Sequence, residues 1–125
     1  MTTQELKDRT KRFAIAVARF CVQLNEITVY KPYANQLIRA SSSVGANYRA
    51  ACRAKSSRDF INKLKIVEEE CDECLFFLEL ISELEPSKER DIRVLLLEGD
   101  ELLSIFVASI NTSRAKSKKS KIEKI

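Results

Sequence analysis

Apolar residues recur along this chain at alternating three- and four-residue spacings, which marks one buried face of a helix, and no stretch alternates as a strand does. The clearest run is Phe60, Leu64, Val67, Cys71, Cys74, Leu78 and Ile81. It predicts a helix from about Arg58 to Glu83 with an unbroken bundle seam, entered through Ser56 or Ser57 as N-cap and favoured by Asp59. Leu6, Phe13, Val17, Phe20 and Leu24, widened by Ala14 and Cys21, predict a first helix. It starts at Thr2, where Thr2 and Glu5 have the spacing of a capping box, and ends near Leu24 or Asn25. Pro32 disfavours helical geometry at Lys31, so residues 25–32 read as a connection.

A second helix is predicted from about Tyr33 to Lys55, with Leu37, Ile38, Ser41, Val44, Gly45, Tyr48, Ala51 and Cys52 inward. That face has little bulk, and Gly45 suggests close backbone approach as compensation for roughly 1 kcal/mol of lost helix propensity. After a turn at Glu85 and Pro86, with Ser87 as N-cap, a fourth helix is predicted from about Lys88 to Ser113. Its seam reads Ile92, Leu96, Gly99, Leu103, Phe106 and Ile110. Four such helices on short connections predict an all-α, antiparallel up-down-up-down four-helix bundle over residues 1–113, followed by a basic, flexible tail, 114–125. The stretch CLFFLELI is apolar on nearly every side, more than one seam buries. Phe76, Phe77 and Leu80 are therefore the candidate oligomer interface.

Composition agrees with this picture: 125 residues, 45% apolar and 32% charged, with two glycines and two prolines, suit one helical domain. The net charge of +4 conceals strong segregation, because residues 31–65 carry +7, residues 66–101 carry −10 and the tail carries +5. Such blocks suit a polyanion-binding surface or complementary subunit contacts. The start MTTQELKDRTKRF has no apolar signal region, and Leu102 to Ser113 is too short and polar to span a bilayer. Four cysteines within helical patterns agree with a reducing compartment, so the expected location is the cytoplasm, with no membrane partner.

Candidate chemistry is sparse. The chain has no histidine, which removes the commonest general base and metal ligand. Cys71 and Cys74 have CxxC spacing, but that spacing is also the bundle seam, where thiols act as small hydrophobes. The acidic run Glu68, Glu69, Glu70, Asp72 and Glu73 lacks the Glu-x-x-His partners of di-iron bundles and reads as a solvated or salt-bridged face. No catalytic residue, cofactor or metal is expected. A hairpin turning near Ser56 places Arg39 beside the Glu70 to Cys74 region and Arg49 near Leu64, one turn from Glu68. The candidate binding residues for phosphates or a partner are Arg39, Arg49, Arg53, Lys55, Arg58, Lys63 and Lys65, with the tail. No groove-reading motif accompanies them.

The run SSSVGANYRAACRAKSSRDFINKLKIVEEECDECLFFLELI resembles the signature segment of the bacterial four-helix bundle family of 23S rRNA intervening-sequence proteins. Ala46-Asn47, Arg53 to Ser56, Phe60, Leu64 and Glu68 to Glu73 carry the likeness. Many relatives have proline where this chain has Gly45, and an acidic residue soon after the asparagine where it has Tyr48-Arg49. The resemblance implies an antiparallel four-helix bundle, commonly a ring-like homopentamer, with no known catalytic activity and a connection to RNA or the ribosome. The family is also similar to the accessory proteins of diversity-generating retroelements, which bind nucleic acid and a reverse transcriptase. The expected function is thus a non-enzymatic, homo-oligomeric, RNA- or ribosome-associated bundle. The alternative is an accessory module for a reverse transcriptase.

Overall fold

A computed structural model describes residues 1–24 and 28–123. Its helices are α1 (Thr3–Leu24), α2 (Lys31–Ala51), α3 (Ser57–Leu84) and α4 (Glu89–Glu123), with 3₁₀ turns at Thr28–Tyr30 and Pro86–Lys88. The expected connection from Asn25 lies partly outside the described residues, as do the last two residues of the tail. Each helix packs against its chain neighbours and α4 closes against α1, giving the antiparallel four-helix bundle.

The local signals at most helix ends operate as written. At the start of α1, the Thr2 N–H donates to Glu5 Oε2 and the Glu5 N–H donates to Thr2 Oγ1, both at 3.0 Å, so the capping box closes. Ser56 caps α3 by accepting from the Asp59 N–H at 3.1 Å. The ends of α2 and α4 differ from expectation. Helix α2 begins at Lys31, because a first-turn proline lacks only an N–H that has no helical partner there, and it stops at Ala51. Ser87 does not cap α4; it sits inside the second 3₁₀ turn and donates its hydroxyl proton to the Glu85 carboxylate. The fourth helix also runs ten residues past Ser113, since nothing after Gly99 is a glycine or proline and alanine and lysine favour helix.

The core follows the seams with small shifts. On α3 every seam residue but the half-buried Phe60 is buried, joined by Leu75. On α1 the buried Thr10 fills the gap between Leu6 and Phe13, and its hydroxyl donates to Lys7 O at 3.0 Å. On α4 the buried line is Ile92, Leu95, Gly99, Leu102, Phe106 and Ile110, so Leu96 and Leu103 flank the seam rather than form it. Runs of adjacent leucines allow both readings, and packing against α3 selects one.

The glycines also exchange roles. A Cβ on Gly45 would meet Thr10 at 3.6 Å, an ordinary contact, so close approach does not require glycine there. A Cβ on Gly99 would lie 2.9 Å from Leu75 Cδ2 and 3.4 Å from Phe13 Cζ, which makes Gly99 the more tightly packed of the two glycines. There the Cys71 thiol donates to Gly99 O at 3.4 Å. Gly45→Ala should therefore raise stability by about 0.5–1 kcal/mol through helix propensity. Gly99→Val should lower it by about 1–3 kcal/mol through overpacking, both read from urea midpoints.

Cys21, Cys71 and Cys74 are buried among the helices. Burial pushes the Cys21 thiol from its ordinary 9.0 up to about 11 and the Cys71 thiol up to about 12, and raises Cys74 as well. The folded chain keeps protons that the unfolded chain releases, so this stability is complete below pH 9.0 and drains as pH climbs toward the folded values. The urea midpoint should fall between about pH 8 and pH 10.5, and Cys71→Ala should reduce the size of that fall.

Candidate nucleic-acid interface

Five residues, 52–56, turn α2 into α3, and the turn is built so that its cations stay outside. The Arg53 N–H donates to Ala50 O at 3.1 Å and the Ala54 N–H to Ala51 O at 3.0 Å, which tightens the end of α2. Asp59 then works from within: its carboxylate accepts from the Lys55 N–H at 3.2 Å and from Lys63 Nζ at 2.6 Å. Those bonds, Lys63 first, hold the Asp59 carboxyl below its usual range. Arg53, Lys55 and Arg58 are left exposed, and none forms an ion pair among the described residues.

Arg49 forms no ion pair across the hairpin among the described residues; it lines a groove of ≈ 480 Å³ between α1 and α2, together with Lys7, Lys11, Gly45 and Ala46. Asp8 is the one carboxylate of that groove, and it accepts from Gln4 Nε2 at 3.0 Å. Lys7 and Lys11 were not among the residues singled out from the sequence. Their i, i+4 spacing puts them on one face, but only the docking of α1 on α2 joins them to Arg49.

The α4 extension meets the same end of the bundle. Cys71 lies opposite Gly99 on an antiparallel helix, so α4 passes the start of α3 near residue 113. Residues 114–123 therefore project about 15 Å further, at 1.5 Å per residue. They carry Arg114, Lys116, Lys118, Lys119 and Lys121 on exposed helix, with a single 4.0 Å pairing of Lys119 to Glu123. One end of the molecule thus gathers cations from all four helices.

The remaining candidates fall elsewhere. Arg39 donates to Glu70 at 3.2 Å and pairs with Glu73 at 2.7 Å, as the hairpin geometry predicts, which removes it from the basic end. The Glu73 contact leads in raising the Arg39 guanidinium above its usual value. Lys63 is engaged by Asp59, and Lys65 is exposed on the outer side of α3. Of the interface candidates, Phe77 and Leu80 are half-buried against the core, Phe77 with its ring 6.5 Å from that of Tyr33. Phe76 stands out from the bundle, 56% exposed. Opposite the basic end, Glu85, Glu89 and Asp91 crowd the α3–α4 turn, where Tyr30 Oη lies 3.1 Å from both Leu84 O and Glu85 Oε2.

The arrangement suits binding of anions along an extended surface more than chemistry at a point. Among the described residues no three His, Cys, Asp or Glu side chains are placed to hold a metal ion, and the CxxC thiols face the core. No helix among the described residues is long and apolar enough to cross a membrane.

No curated protein matches this chain. Among solved structures it is similar to the 1.70 Å crystal structure of a protein of unknown function from the S23 ribosomal protein family of Bacteroides thetaiotaomicron VPI-5482. The two share 28% identity over 84% of this chain and 97% of that one, with a TM-score of 0.78. Residues 3–108, which take in α1 to α3, the cationic turn and the first part of α4, match the family model described as 23S rRNA-intervening sequence protein, and the chain belongs to that family.

Proposed function

We propose that this protein is a non-enzymatic, homo-oligomeric scaffold of the cytoplasm that binds RNA, free or in the ribosome, through the basic end of the bundle. The observation that carries this reading is the convergence at one end of cations from separate helices: Lys7 and Lys11, Arg49, Arg53, Lys55 and Arg58, which form no ion pair among the described residues, and the α4 extension, where only Lys119 does. Intramolecular neutralisation accounts for Arg39 and Lys63 but not for these. The family's description points to RNA as the polyanion. Contacts of this type read the phosphate backbone and its shape and carry little base information.

Binding of structured RNA should weaken steeply with salt, because each phosphate contact releases counterions and contributes about −0.9 to the slope of log K against log salt. Replacing Arg49, Arg53 and Arg58 together by alanine should reduce that slope by roughly 2–3 and lower affinity about equally for unrelated RNA sequences. Arg39→Ala, whose charge is already paired, should leave RNA affinity unchanged in the same filter-binding series. An affinity indifferent to salt and to the triple substitution would overturn the reading.

A further inference from the structure

The helix pair α1 and α4 leaves an open groove along its outer side. Two adjoining cavities of ≈ 250 Å³ and ≈ 210 Å³ share Ala16, Val94 and Leu95 as lining, with Arg12 and Arg19 on the α1 rim. Val94 in the α4 wall is 66% exposed, apolar surface without a partner in the single chain. Of the two acids on the α4 rim, Glu98 is already gripped by Arg9 at 2.6 Å, which leaves α1 as the cationic side of the groove.

A matching ridge stands on α3. Phe76 projects from its outer face between Asp72 and Glu79, both exposed. The spacing Asp72-x₃-Phe76-x₂-Glu79 repeats that of Arg12-x₃-Ala16-x₂-Arg19, so acid meets base at two points while a ring meets an alanine between them. Gly99 is approached by Phe13 from α1 and by Leu75 from α3, so within one chain Asp72, Phe76 and Glu79 stand about 3 Å, two residues of helix rise, from the heights of Arg12, Ala16 and Arg19. Helices α1 and α3 also run in the same direction.

We infer that a second copy of this chain seats its Phe76 ridge in the α1–α4 groove, pairing Asp72 with Arg12 and Glu79 with Arg19. Groove and ridge occupy different faces, so each copy gives one and receives one, a head-to-tail contact. The inference rests on the homo-oligomeric reading above and names the surfaces that make it.

Light scattering on three forms of the full chain tests it. Arg12→Glu with Arg19→Glu, and separately Asp72→Arg with Glu79→Arg, should each drop from the wild-type oligomer mass to that of the monomer. An equimolar mixture should rise above the monomer mass, since the reversed groove of one variant then meets the reversed ridge of the other. All four positions are exposed, so unchanged circular dichroism should accompany the loss of assembly. Reversals that leave the mass unaltered, or a mixture that stays monomeric, overturn this interface while leaving the homo-oligomer standing. A wild-type chain that is itself monomeric at tens of micromolar overturns both.

Discussion

Phe13, Leu75 and the backbone of Gly99 meet at one point in the core, and that contact sets the relative heights of α1, α3 and α4. A helix slides along its neighbour only in steps that move a knob from one hole to the next, so a single tight crossing fixes a long interface. From this height follow the Arg9 clasp on Glu98 and Glu101, the meeting of Tyr48 and Phe106 rings at 5.9 Å, and the distance by which α4 overshoots its neighbours. The charged ends of the molecule are where they are because of it.

The charges at the basic end are not arranged for helix stability. Helix α3 carries Arg58 in its first turn, Lys63 and Lys65 soon after and acids further on, although a cation in the first turn opposes the helix dipole by about 0.3–1 kcal/mol. Asp59 alone follows the dipole there, and it is spent on holding the turn. On α4 the order is reversed, with Glu89 and Asp91 first and lysines last, in keeping with the dipole. The two orders have one result in common: positive charge at the same end of an antiparallel pair. That agreement between helices is what a binding surface needs and what packing does not.

Much of this was legible in the chain alone, and the exceptions have physical causes. The α3 seam reads without ambiguity because its outward positions are mostly polar, whereas Val94 to Leu97 and Leu102-Leu103 on α4 offer two equivalent stripes. Arg39 was placed correctly because a hairpin links positions by counting from its turn. The groove that Arg49 lines was not foreseen, because whether an arginine near a helix end turns to α1 or to α3 depends on the rotation of α2, which counting does not supply. Lys7 and Lys11 needed the docking of helices distant in sequence. The helix beyond Ser113 was hidden by its low complexity, which suggests fraying although its residues individually favour helix.

That overhanging stretch of α4 has no neighbour to hold it, so its order rests on the helix–coil balance and on the frame offered by the packed part of α4. Five like charges within ten residues push that balance toward coil, and ions that screen them push it back. Under the proposed function, a polyanion lying along the segment would do the same more strongly and so favour the helix to which it binds. Simple salt would then act in two opposed senses on one element, lengthening the rod while weakening its hold on a phosphate backbone.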